Sequence, residues 1–78
     1  MISVDVFVLV PGESDVVDEE SRIADIAIDN RFIGSSHIVF SSKGSFVGVR
    51  LLGCFPSVEA VETTFEQLNA VEHYELIG

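Results

Sequence analysis

Positive charge is scarce in this sequence. Four bases (Arg22, Arg31, Lys43 and Arg50) stand against thirteen acids in 78 residues, for a formal net charge of −9. Gripping a phosphate backbone takes clustered Lys and Arg, so direct nucleic-acid binding is excluded. An anionic membrane surface is disfavoured for the same reason. Cysteine is nearly absent as well: Cys54 stands alone and cannot form an intrachain disulfide. Secreted domains this small usually depend on such staples, so the expected setting is a reducing cytoplasm. No apolar run approaches the roughly 20 residues that span a bilayer. Met1–Val10 has no cationic start, so it does not read as a signal peptide.

What the chain does have is apolar content. Hydrophobic residues make up 47% of it, well above a disordered acidic tail. The length fits one domain, residues 1–78, with a small core and apolar surface to spare. Charge is uneven along it. Residues 1–21 hold six acids and no base, residues 22–50 hold all four bases against Asp25 and Asp29, and residues 51–78 hold five acids.

Ile2–Val10 places Ile2, Val4, Val6, Val8 and Val10 on one face with period two, and Ser3, Asp5, Phe7 and Leu9 on the other. β-branched residues suit a pleated surface, so this is a strand, ended by Pro11-Gly12. Ser14 to about Asn30 reads as a helix with a stripe of Val16, Val17, Ile23, Ala24, Ala27 and Ile28. Asp18, Arg22, Asp25 and Asp29 fall opposite that stripe. Acids in the first turns suit the positive end of the helix dipole. The segment's Val and Ile content leaves a strand over Ile23–Asp29 as the alternative, and Glu20 inside the stripe suggests a helix starting only near Asp18.

His37–Ser41 and Ser45–Leu52 read as a hairpin across Ser42-Lys43-Gly44. Gly53 and Pro56 are expected to break the chain. Ser57 caps a second helix with Val58, Val61, Phe65 and Leu68 inward and Glu59, Glu62 and Glu66 outward. Asn69 ends it, and Val71–Ile77 supplies a last strand. This order predicts an α+β fold of ferredoxin-like βαββαβ type, a four-stranded antiparallel sheet in order 4-1-3-2 with both helices on one face.

Two surfaces then compete for function. If the valine face meets the helices, Phe7, Leu9, Phe46 and Leu52 form an apolar open face, joined by Tyr74 and Leu76, which points to homo-oligomerisation. The acidic stripes, Asp18, Asp25 and Asp29 on one helix and Glu59, Glu62 and Glu66 on the other, either keep the domain soluble or imitate a phosphate backbone. Carboxylates about 5–6 Å apart along a helix approach the spacing of phosphates on one strand.

Other chemistry is weakly supported. The acids lack calcium-loop spacing, and Glu13, Asp15, Asp18 and Glu19 form only a loose cluster, so no metal is expected. His37 and His73 fall at opposite edges of the predicted sheet, and Cys54 reads as a small hydrophobe beside Phe55. No catalytic residue and no cofactor is expected. The leading expectation is a non-enzymatic acidic protein that binds a basic nucleic-acid-binding partner as a nucleic-acid mimic. Inhibitors from phages and mobile elements work in this way. The alternative is a homo-oligomeric regulatory domain, similar to ACT-type domains in element order only, with a small ligand at a subunit interface.

Overall fold

The computed structural model describes residues 1–10, 15–40, 47–68 and, as main chain, 71–76. It is an α+β fold. Strand β1 (Ile2–Leu9) leads to helix α1 (Val16–Asp29), strands β2 (Ile33–Phe40) and β3 (Val47–Phe55), helix α2 (Val58–Leu68) and strand β4 (Val71–Leu76). β2, β3 and β1 form an antiparallel sheet in that order, and the main chain of β4 runs antiparallel along the other side of β1. No helix among the described residues is long and apolar enough to cross a membrane.

The period-two pattern sets the core. Val4, Val6 and Val8 on β1 oppose Gly53, Leu51 and Val49 on β3, so these residues share a face. All but Gly53 join Phe55 in the buried cluster with Ile23 and Ala27 of α1 and Val61 and Leu68 of α2. Both helices therefore cover the same side of the sheet. Burial of each such Val, Leu, Ile or Phe side chain contributes about 1.5–3 kcal/mol, which is why the helices dock on this face.

α1 is a helix throughout, including Ile23–Asp29. Its β-branched content is outweighed by an N-cap and by Ile23 and Ala27, four residues apart and both buried. The buried stripe is narrower than the periodicity predicts: Val17 and Ile28 are exposed, and Glu20 is half-buried. On α2, Val58 is exposed, while Thr64 is buried, its hydroxyl donating to the Ala60 carbonyl at 2.8 Å. That internal bond removes the penalty for burying a polar group.

The middle strands differ most from the pattern. β2 begins at Ile33 rather than His37, and β3 continues through Gly53 to Phe55. The cause is a pair of facing glycines, Gly34 and Gly53. A Cβ on Gly34 would come within 2.6 Å of the Phe32 ring, and one on Gly53 within 2.8 Å of it. The bare backbone thus makes a floor for Phe32, whose ring also packs on Phe55 with centroids 5.0 Å apart. The expected Ser42-Lys43-Gly44 turn, Asn69 and Ile77 lie outside the described residues.

Candidate partner-binding surface: the acidic helical layer

The layer is built on two capped helices. Asp15 caps α1, its Oδ1 accepting from the N–H groups of Val17 (2.9 Å) and Asp18 (3.4 Å). Ser57 caps α2, its Oγ accepting from Ala60 N–H at 3.2 Å. Each cap satisfies donors that the helix itself leaves open.

With 100° between successive residues, the core side of α1 is fixed by Ile23 and Ala27. Asp18, Asp25 and Asp29 then sit at the centre of the opposite side, and all three are exposed. The same reckoning on α2, anchored by Val61 and Leu68, centres Glu59, Glu62 and Glu66 away from the sheet, again exposed. The six acids predicted as a binding face therefore project from one side of the molecule. Asp15 is exposed at the start of the same helix as the three aspartates, while Glu19 and Glu20 turn toward the core side and are half-buried. The bases of this layer among the described residues are Arg22 and Arg31. Arg22 is held by Glu19, with Nε and Nη2 donating to Oε2 at 3.1 and 2.8 Å.

Two of the six share a cleft. Asp29 and Glu59 line an open cleft of about 470 Å³ where the end of α1 faces the start of α2, together with Asn30, Arg31, Pro56, Ser57, Ala60 and Thr63. Asp18, Asp25, Glu62 and Glu66 are not among the residues that line it. Asn30 holds the helices in this relation: its Nδ2 donates to Gln67 Oε1 at 3.0 Å and to the Ile26 carbonyl at 2.9 Å.

Arg31 is the residue that sequence reasoning misses. It has a positive φ of 68°. Its N–H donates to the Ile28 carbonyl and that of Phe32 to the Ala27 carbonyl, the pattern of a Schellman motif. Glycine usually fills this position, so an arginine gave no signal. Asn30, as a helix end, was the only hint of the junction.

The open face of the sheet is mixed. Phe7 and Leu9 are half-buried, Leu52 is exposed, and Phe46 lies outside the described residues. The Phe7 ring covers Gly48, where a Cβ would come within 2.5 Å of it. The same face carries an ion pair, Arg50 Nε and Nη2 donating to Asp5 Oδ1 and Oδ2 at 2.8 and 2.5 Å. That hydrogen bonding, and then the charge of Asp5, raises the Arg50 pKa above its ordinary value. His37 shares a 3.0 Å hydrogen bond with Ser35 Oγ, and Cys54 is half-buried, 3.6 Å from Ser3 Oγ. The main-chain register pairs Tyr74 with Val6 and Leu76 with Val4, not with Phe7 or Leu9. No family model, curated protein or solved structure matches the chain.

Proposed function

We infer that the protein is a non-enzymatic binding protein whose acidic helical layer occupies a basic, nucleic-acid-binding partner. The observation that carries this reading is the one-sided projection of Asp18, Asp25 and Asp29 with Glu59, Glu62 and Glu66 from two adjacent helices. Solubility alone would be served by acids spread over every surface. Carboxylates concentrated on one layer instead raise a local negative potential, which speeds encounter with a positive groove and sets orientation.

In this reading the scaffold is a ferredoxin-like βαββαβ sandwich with β4 completing a four-stranded sheet, and the layer is a nucleic-acid mimic. The protein acts in the cytoplasm, where its targets are nucleases or nucleic-acid-guided complexes of the kind that mobile elements inhibit. Competition tests it. A partner captured on the immobilised protein should be released by duplex DNA or RNA in proportion to its own affinity for that nucleic acid. Retention of the partner under saturating nucleic acid would count against mimicry.

A further inference from the structure

β2 is the last strand on its side of the sheet, and among the described residues nothing pairs with its outer rim. Its sequence, Ile-Gly-Ser-Ser-His-Ile-Val-Phe, contains neither a Lys, Arg, Asp or Glu nor a proline. Charges and prolines are among the devices by which edge strands discourage pairing with another chain. This rim has neither.

One flank of α1 overhangs the same rim. On the helical wheel Val17, Ala24 and Ile28 fall together, on the side away from Ile26 and Asn30. Asn30 reaches Gln67 of α2, so the Val17–Ile28 flank looks away from α2. Since α1 packs on β2 and β3, that flank lies toward the free rim of β2. Val17 is 57% exposed and Ile28 60%, and β2 adds Ile33 at 68% and Phe40 at 69%. By register Phe40 pairs with Val47 on the helix-covered face, the same side as the α1 flank, whereas Ile33 pairs with Cys54 on the open face. Apolar side chains are thus exposed along this rim on both faces of the sheet.

We propose that the β2 edges of two copies pair antiparallel about a two-fold axis normal to the sheet, joining the two sheets and burying the α1 flanks against each other. A second copy is the occupant that fits. A strand rim is complementary to another strand rim, and a two-fold axis makes the patch its own partner. Charge leaves the rim itself open: β2 carries no charged side chain and no acid occurs between Asp29 and Glu59, so pairing of the rims adds no close repulsion. What remains comes from the acids of α1 beside the flank and is screened by salt. A basic peptide would be drawn to the acidic layer instead, and an acidic one repelled by the whole molecule. The normal axis keeps both helical layers on one side, so the acidic surfaces of the two copies become continuous.

Sedimentation equilibrium of the full chain from about 1 to about 200 μM tests this. The expected result is twice the 8.5 kDa chain mass at the upper end. Association should tighten between about 0.1 and about 0.5 M salt, because screening relieves repulsion between like-charged copies. Ile28→Asp and Phe40→Asp should each weaken it at least about tenfold, and Leu52→Asp on the open face should leave it unchanged. Should Phe40→Asp fail to fold, Ile28→Asp decides, since that side chain is already solvent-exposed. A single-chain mass over the whole range in both salts overturns the proposal. So does a dimer that Leu52→Asp loosens as much as the α1 and β2 variants.

Discussion

Asn30 donates to Gln67 across the helix pair, 3.0 Å from Nδ2 to Oε1, while the same amide caps the Ile26 carbonyl of its own helix. One side chain thus both ends α1 and fixes where α2 stands beside it. Asn30→Ala removes both bonds and should lower stability by about 1–2 kcal/mol, read as a lower urea midpoint at unchanged m-value. Gln67→Ala leaves the cap in place and should cost less than half as much. Equal losses from the two variants would show that the cap contributes nothing.

The facing glycines give a steeper expectation. Gly53→Ala would push a methyl group into the backbone of β2 and the ring of Phe32. Overpacking of this kind costs about 1–3 kcal/mol, and backbone neighbours cannot move aside as a flexible side chain can. Thermal melts of Gly53→Ala and Gly34→Ala should therefore both shift down clearly. Partial recovery of Gly53→Ala by Phe32→Leu would identify the ring as the obstacle.

Arg31 offers a change in the opposite direction. A non-glycine residue at φ 68° pays a steric cost that glycine avoids. Arg31→Gly should stabilise the fold by about 0.5–1 kcal/mol, after allowance for the freer unfolded chain. An unchanged or lower urea midpoint would mean that the arginine side chain repays its backbone strain through contacts in the cleft with Asp29 and Glu59.

These positions also show where the sequence was legible. The alternation of Val4, Val6 and Val8 and the spacing of Val61 and Leu68 report local periodicity, and the structure buries all five. The outward placement of the six acids follows from the same periodicity. The start of β2 was not legible, because Gly34-Ser35-Ser36 has low strand propensity and is held by the pairing of Gly34 with Gly53 under Phe32, far apart in the chain. Val17 and Ile28 fit a helical stripe equally well whether buried or not, and only the position of α1 over the edge of the sheet leaves them in solvent. Thr64 looks polar in sequence, but its hydroxyl is satisfied within the helix. The cleft that Asp29 and Glu59 share follows a Schellman turn built around an arginine, which no composition rule anticipates.

The acidic layer as a binding surface is tested most directly by a salt titration of partner binding with charge reversal. Wild-type protein, Asp18→Lys/Asp25→Lys/Asp29→Lys and Glu59→Lys/Glu62→Lys/Glu66→Lys would be compared for association with the captured basic partner between about 0.05 and about 1 M salt. All six side chains are exposed, so both variants should keep the wild-type circular dichroism spectrum. Wild-type binding should fall steeply with salt, since exposed charges are screened beyond about 8 Å at physiological ionic strength, and at least one reversal should abolish it. Binding that persists unchanged at about 1 M salt, or that tolerates both triple reversals, would contradict the acidic layer's role as a binding surface.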